Sequence, residues 1–278
     1  MFARRARLGV YQFSWCLTFQ IVYFKPTFFL LVCIFFSHYN IIVASLFVVG
    51  TPIGNLGDIT YRAIETLKSV DFVACEDTRH TLQLLNHFEI KKNLISCRAQ
   101  NEKFVSEKII ELLKEGHDIA YASDAGTPGI SDPGAVLVDC VRDAGFDVVP
   151  IPGASAFATL ISVAGSGGKT LIFEGFLSPK PGKRKHRLEE LLNTKDAVII
   201  YESPFRIVKL LKDIADIEGT RRIVVGRELT KLHEEITSGS AEELYQDYSS
   251  RQSIKGEFAV FISGVKKLKN SDESTDNY

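Results

Sequence analysis

Residues 46–57 read LFVVGTPIGNLG, an apolar run that leads into a loop rich in glycine and proline. Such a run predicts a short buried strand with a tight turn at its carboxyl end. Further strand-like runs, separated by amphipathic helical patterns, follow at 71–75, 94–97, 119–123 and 148–151. This alternation indicates an α/β fold built on a parallel sheet.

A second alternating segment follows the glycine-rich stretch at 165–168. Its strand-like runs lie at 170–176, 197–201, 222–227, 233–238 and 257–263. The glycines before it predict a break between folding units. We therefore expect an α/β protein of two α/β domains, with a ligand cleft between them. The expected segments are an extension at 1–45, an N-terminal domain at 46–164, a hinge at 165–169, a C-terminal domain at 170–264 and a polar tail at 265–278.

The composition is that of a folded globular protein. The chain has 278 residues, 33 Lys and Arg against 34 Asp and Glu, and 45% hydrophobic residues. These values exclude a disordered chain and argue against a generally basic nucleic-acid binder, although a local basic patch remains open. The five cysteines are widely spaced and the six histidines are dispersed. We therefore expect neither a disulfide framework nor a metal site.

The first 57 residues differ from the rest of the chain. They contain four basic residues and no acid, and residues 28–49 carry no charge. Three interpretations are open: an extension outside the fold, a targeting peptide, or a membrane anchor. A polar interruption at 37–40 argues against the anchor, and we place residues 1–45 outside the fold. The expected location is cytoplasmic, or organellar if this segment is a transit peptide.

Three loops of small residues follow strands of the first sheet, at 50–57, 123–134 and 150–156. Ligands of open parallel sheets bind at the carboxyl ends of the strands, and small residues let a ligand approach the backbone. The loops could instead be tight turns only. None matches the dinucleotide, P-loop or serine-hydrolase motifs. The sequence therefore predicts a cleft for an organic cofactor, without a metal.

Four acids near these loops are candidate catalytic residues, and the sequence does not rank them: Glu76, Asp77, Asp124 and Asp132. Glu76 and Asp77 follow the second strand, where they could form a carboxylate wall, or an N-cap with a salt bridge. Asp132, followed by Pro133, is expected to cap a helix. Asp124 has no evident structural role.

A basic segment at 180–187 reads KPGKRKHR. It is either a solvated charge run or an irregular loop that contacts RNA phosphates at the mouth of the cleft. Flanking prolines and Gly182 predict irregular structure until a helix near His186. The residues expected to bind RNA are Lys180, Lys183, Arg184, Lys185 and Arg187.

Seven ordered blocks make the chain resemble the tetrapyrrole-methylase superfamily. They are GTPIGNLGDIT, ACEDTRHT, SDAGTPGISDPG, PGASA, FEGFL, YESPFR and RELTKLHEE, between residues 46 and 264. The long third block is similar to the members that methylate ribosomal RNA. The resemblance implies two α/β domains, a homodimer, and S-adenosylmethionine as cofactor. It also implies 2′-O-methylation of a cytidine ribose in small-subunit (16S) rRNA.

The resemblance assigns cofactor contacts to these positions of the present sequence: Thr51, Pro52, Gly54, Gly126, Thr127, Pro128, Ser155, Ala156, Tyr201 and Arg227. Two alternatives stay open at this point. One is a C-methyltransferase acting on a porphyrinoid. The other is an inactive ribosome-binding module, because residues 97–100 read CRAQ where the family commonly has a histidine-rich stretch. Phe205 also stands where the family commonly has histidine.

Overall fold

The computed structural model describes residues 44–165 and 167–264. Its first sheet has five parallel strands in the order β3-β2-β4-β1-β5. These strands are β1 (Ser45–Val49), β2 (Phe72–Cys75), β3 (Asn93–Ser96), β4 (Ile119–Ala122) and β5 (Asp147–Ile151). The first strand lies inside the sheet and is almost fully buried, as its apolar sequence predicts.

Helices cover both faces of the first sheet. They are α1 (Tyr61–Ser69), α2 (Thr78–His87), α3 (Glu102–Lys114) and α4 (Ala135–Asp143), with α5 (Ala156–Ala164) after the last strand. Alternation along β1 sends Leu46 into a cluster with α3 and α4, and Phe47 into a cluster with α1 and α2. Because both faces are apolar, the strand reads as a continuous hydrophobic run.

The second sheet is mixed, with the strand order β6-β7-β10-β8-β9. Its strands are β6 (Leu171–Phe176), β7 (Ala197–Glu202), β8 (Arg222–Arg227), β9 (Glu235–Ser240) and β10 (Phe258–Ile262). The first two strands are parallel, whereas β10 is antiparallel to both β7 and β8. One face packs on α6 (Pro181–Leu192), α7 (Ile207–Glu218) and α8 (Ala241–Ser250). The α/β fold class is confirmed.

Helix α5 covers the other face of the second sheet. Its Leu160 and Ala164 are fully buried in one cluster with Ile199, Val224 and Phe261. Helix α5 comes directly after the first sheet in the sequence, yet its apolar side packs against the second sheet. The predicted boundary after residue 164 stays a prediction, and the predicted hinge includes Ser166, which lies outside the described residues.

The placement of the extension at 1–45 needs a small correction. Ala44 and Ser45 are buried, and Ser45 is the first residue of β1, where it pairs with Asp147. The rest of the predicted extension and the predicted tail at 265–278 lie outside the described residues. Within 44–165 and 167–264, no helix combines the length and the apolar character needed to cross a bilayer.

The predicted start of α4 at Asp132 is wrong. The helix begins at Ala135, and its N-cap is Gly134, whose φ of 128° no residue with a β-carbon adopts easily. The carboxylate of the buried Glu102 does the capping, since its Oε1 accepts from the backbone N–H of Gly134 and of Leu137. A side chain 32 residues away therefore satisfies this helix end.

The basic segment is helical, not irregular. Helix α6 begins at Pro181, the N1 position that proline favours, so Lys183, Arg184 and Lys185 lie within its first two turns. The expectation of a loop reaching as far as His186 is wrong, because Pro181 begins the helix instead of preventing it.

Candidate functional site

The three predicted loops meet at the carboxyl edge of the first sheet. Thr51 and Gly126 exchange backbone hydrogen bonds, with N to O distances of 2.9 Å and 3.1 Å. Gly50 donates its N–H to the carbonyl of Ile151, and Thr127 Oγ1 donates to the carbonyl of Ala154. The loops after β1, β4 and β5 thus form one hydrogen-bonded unit.

The closest approach in this unit is between Gly50 and Gly153. A β-carbon on Gly153 would lie 2.6 Å from the Gly50 carbonyl oxygen, and one on Gly50 would lie 2.7 Å from the Gly153 nitrogen. Both neighbours are backbone atoms, so neither can rotate away. Glycine at these two positions is therefore required by packing.

A cavity of about 330 Å³ lies between these loops and the loops at the edge of the second sheet. Its wall from the first half consists of Ile53, Ala125, Gly126, Thr127, Ile130, Ser131, Asp132, Ser155 and Ala156. Its wall from the second half consists of Phe176, Tyr201, Glu202, Ser203, Pro204, Leu229, Glu257, Phe258 and Ala259. The volume lies within the range of about 300–1,000 Å³ that small-molecule sites occupy.

The predicted cofactor residues divide between two hollows and the surrounding structure. Five line the cavity: Gly126, Thr127, Ser155, Ala156 and Tyr201. Three line a neighbouring hollow of about 200 Å³ together with Asp124: Thr51, Pro52 and Gly54. Pro128 is buried and Arg227 is ion-paired with Glu235, and neither lines either hollow.

Tyr201 joins the two walls of the cavity. Burial raises the pKa of its hydroxyl, which is hydrogen-bonded to the backbone of Phe157 and to the Ser155 side chain. Its ring packs edge-on against Phe173 at 5.0 Å between centroids. A residue at the end of β7 therefore contacts the start of α5, so the aromatic ring and the small-residue loop border the same space.

Three of the four candidate acids form one electrostatic group. Burial raises the pKa of Asp132, which lines the cavity, and the charge of Asp124 raises it further. Burial also raises the pKa of Glu76, and Asp124 and Asp132 add to that shift. A carboxylate that holds its proton more tightly is a better proton acceptor in a dry site.

Asp77 has a structural role instead. Its carboxylate accepts from the backbone N–H of Arg79 at the start of α2 and pairs with the Arg79 guanidinium at 2.7 Å. These hydrogen bonds hold the pKa of Asp77 well below its usual range. The N-cap and salt-bridge interpretation of Asp77 is therefore confirmed.

Several lining residues are missing from the sequence-based assignment. Phe176 and Glu202 are the last residues of their strands. A search for residues at strand ends in the second half of the chain would therefore have found them. The carboxylate of Glu202 is buried and pairs with Arg206 at 2.6 Å. Phe258 reaches the site because β10 runs antiparallel and begins at this edge, and nothing in the sequence indicates that direction.

The five predicted RNA-binding cations are not equivalent. Arg184 is 4% exposed and donates to Asp213 at 2.7 Å, so it is not available to a phosphate. Arg187 forms ion pairs with Glu174 and Glu190. Lys180, Lys183 and Lys185 are exposed. The structure thus exposes four of the five cations, and one of those four, Arg187, is held in ion pairs.

The site's chemistry suits an organic cofactor. Across 44–165 and 167–264, no cluster of three or more His, Cys, Asp or Glu side chains is arranged to hold a metal ion. The small-residue loops offer backbone donors and acceptors, while Tyr201, Leu229 and Ala259 offer apolar surface. Such a mixture fits the apolar and polar parts of S-adenosylmethionine.

Solved structures with a similar fold include two methyltransferases. Cobalt precorrin-4 methyltransferase, a cobalamin biosynthetic enzyme, matches 79% of this chain and 94% of its own at a TM-score of 0.58 and 16% identity. Uroporphyrin-III C-methyltransferase from Thermus thermophilus matches 78% of this chain and 94% of its own, at a TM-score of 0.55 and 16% identity. At this identity the likeness concerns the fold alone.

Comparison with curated sequences is more specific. A protein of Borrelia garinii subsp. bavariensis named ribosomal RNA small subunit methyltransferase I is 45% identical over 219 residues, 78% of this chain and 98% of the relative. Its namesake in Thermotoga maritima is 44% identical over 223 residues, 80% of this chain and 99% of the relative. The family model for tetrapyrrole (corrin/porphyrin) methylases matches residues 45–245. The chain therefore belongs to the tetrapyrrole methylase family.

Proposed function

We propose that this protein is an S-adenosylmethionine-dependent methyltransferase acting on the 2′-hydroxyl of a cytidine ribose in small-subunit ribosomal RNA. The observation that carries the proposal is the identity of 44–45% with rRNA methyltransferases that the chain covers almost end to end. The porphyrinoid enzymes share the fold at only 16% identity, which gives no support to a macrocyclic substrate.

The cavity between the two halves is the proposed cofactor site. Gly126, Thr127, Ser155 and Ala156 would offer backbone and hydroxyl groups to the polar parts of the cofactor. Tyr201 would border its apolar parts. When bound, S-adenosylmethionine supplies a methyl group already activated by its sulfonium, so the transfer itself does not require a metal.

The chain's own task is alignment and exclusion of water. Residues that hold the ribose hydroxyl and the cofactor in a fixed mutual orientation would lower the entropic part of the barrier. The hydrogen bonds among Gly50, Thr51, Gly126 and Ile151 hold in place the loop that brings Gly126 to the cavity. Apolar lining from Ile53 favours a dry site.

Asp132 is the proposed acceptor of the hydroxyl proton. It lines the cavity, and its raised pKa matches a base that works in a partly desolvated site. Asp124 and Glu76 lie in its electrostatic surroundings, and the charge of Asp124 holds its affinity for a proton high. Asp77 is not proposed as a base because its carboxylate is committed to Arg79.

The proposed working form is a cytoplasmic homodimer. The resemblance to the family supports the dimer, and the ribosomal substrate supports the location. Light scattering on the purified protein measures the dimer directly, and a monomer at micromolar concentration would contradict it.

The test of the activity uses purified protein, labelled S-adenosylmethionine and undermethylated 30S subunits, followed by nucleoside mass spectrometry of the rRNA. We expect label in 2′-O-methylcytidine. Asp132→Asn is expected to slow transfer about 100-fold or more. Asp139→Asn, an exposed acid on α4, is the matched control and is expected to leave the rate unchanged. Absence of transfer by the wild-type protein, with cofactor binding intact, would refute the proposal.

A further inference from the structure

Two large aromatic side chains are exposed beside the cavity. Phe176 lines the cavity and is 59% exposed, and Phe205 is 88% exposed directly after Pro204, another lining residue. Single exposed apolar residues are common in proteins, but two exposed phenylalanines beside one ligand cleft indicate a contact surface. Neither ring is used by the cofactor chemistry described above.

The ring of Phe176 is held in a fixed direction. It packs edge-on against Tyr201, with 5.8 Å between centroids and 68° between planes. Tyr201 in turn packs edge-on against Phe173, and Phe173 against Phe157. A chain of four rings therefore runs from the partly buried Phe157 to the exposed Phe176, and this last ring presents a pre-oriented aromatic face.

The turn that carries Phe205 is hydrogen-bonded to the residue that follows Phe176 at the end of β6. Arg206 donates through Nε to Glu202 Oε1 at 2.6 Å and through Nη2 to the carbonyl of Leu177 at 3.2 Å. The residue after Phe205 is thus hydrogen-bonded to the residue after Phe176. The two exposed rings belong to one braced surface.

Three exposed cations follow this surface in the sequence. The exposed Lys180, Lys183 and Lys185 follow Phe176 along the chain at the start of α6. Aromatic faces next to lysines are the combination that single-stranded nucleic acid needs, because bases stack on the rings while phosphates meet the cations. An apolar protein partner would have no use for three exposed lysines so soon after Phe176 in the sequence.

We propose that Phe176 and Phe205 form a stacking platform for unpaired RNA bases next to the methylated nucleotide. The inference rests on the proposed function and names how its substrate is held. Sequence-tolerant stacking fits single-stranded RNA, whose bases are splayed out and read by aromatic side chains. Rigid rings bind with little loss of side-chain entropy, so the bracing by Tyr201 and Arg206 strengthens the contact.

The experiment measures binding of a short fluorescent single-stranded RNA containing cytidines, and of the same RNA with abasic residues, at saturating S-adenosylmethionine. Phe176→Ala and Phe205→Ala are each expected to weaken binding of the normal RNA about 5- to 100-fold. Both should bind the abasic RNA as the wild type does. Phe205→Trp should retain affinity, and Phe104→Ala, a similarly exposed ring on α3, is the matched control.

Three results would overturn the platform, and a fourth would overturn the proposed function. Wild-type affinity in both alanine variants, or an equal loss on abasic RNA, would overturn the platform. A change of oligomeric state in these variants, seen by light scattering, would assign the rings to a second copy of the chain and also overturn it. If the wild-type protein binds S-adenosylmethionine but neither binds RNA nor methylates 30S subunits, the proposed function itself fails.

Discussion

The two walls of the cavity are built in different ways. The wall from the first sheet is held together by backbone: three loops of small residues exchange main-chain hydrogen bonds, and Gly50 meets Gly153 behind the lining without space for a β-carbon. The wall from the second sheet is made of side chains, with rings packed edge-on at Tyr201 and an ion pair at Arg206. The first wall tolerates little substitution because its backbone atoms pack directly on one another. The second can be altered one interaction at a time.

The largest effect should come from adding one carbon to the backbone-built wall. Gly153→Ala places a β-carbon 2.6 Å from the Gly50 carbonyl oxygen, so the two loops must separate. We expect a loss of about 3 kcal/mol in the free energy of unfolding. Affinity for S-adenosylmethionine should fall by about tenfold or more, which corresponds to about 1.4 kcal/mol of binding free energy. Chemical denaturation and calorimetry measure the two effects.

Gly182→Ala is the matched control for that substitution. A β-carbon at this position meets nothing within 4 Å, and the residue lies in the first turn of α6. Alanine there is expected to be neutral or to stabilise the protein by up to about 1 kcal/mol. If Gly182→Ala destabilised the protein as much as Gly153→Ala, the close backbone contact at Gly153 would not be the cause of the loss.

The next effect concerns a buried ion pair behind the second wall. Asp213→Ala leaves Arg184, whose side chain is 5% exposed, without its carboxylate partner. We expect a loss of about 3 kcal/mol in unfolding free energy, because an unpaired buried charge is costly. Glu190→Ala removes an exposed partner of Arg187, and its effect should stay below about 1 kcal/mol. Thermal unfolding of both variants tests the difference, and similar melting temperatures would contradict it.

A smaller effect is expected on the pH profile of methyl transfer. Asp132 must be deprotonated to accept a proton, and its pKa is raised by burial and by Asp124. The rate should therefore rise as the pH rises through this raised pKa. Asp124→Asn removes a negative charge and lowers the pKa of Asp132, so the acidic limb of the profile should move to lower pH. An unmoved limb would exclude Asp132 as the titrating base.

The smallest expected effect is on salt dependence. Replacing Lys180, Lys183 and Lys185 by alanine should weaken RNA binding modestly and reduce the salt slope by about 0.7 for each phosphate that the protein no longer neutralises. Arg184 is left intact in this variant because it is buried and its removal would test stability instead. Affinity for S-adenosylmethionine should not change. An unaltered salt slope would show that these lysines are solvated charges that do not contact RNA phosphates.

The sequence predicts what is local and misses what depends on distant partners. The run at 46–49 reads as a buried strand, and Asp77 is recognisable as an N-cap, because each signal lies within a few residues. The start of α4 is misplaced because its capping carboxylate, Glu102, comes from another helix. Tertiary contacts of this kind override a local proline or aspartate signal.

In the candidate site, too, local features can be predicted from the sequence and features that depend on distant residues cannot. The loops at 50–57, 123–134 and 150–156 are visible in the sequence because glycine and proline mark them, and the structure brings all three together. The pairing of Arg184 with Asp213 is not visible, since 29 residues separate the partners. The contribution of Phe258 depends on the direction of β10, which no local pattern encodes.

The position of β10 sets the order in which the protein can be completed during synthesis. The last strand of the second sheet lies at its centre, between β7 and β8, and hydrogen-bonds to both. The first sheet has all its strands once Ile151 has left the ribosome, whereas the second stays split into two strand pairs until Phe258–Ile262 emerges. Until that moment the nascent chain exposes unpaired strand edges, which are sites of aggregation. A chain that stops before Phe258 would thus keep a complete first sheet beside an open second one.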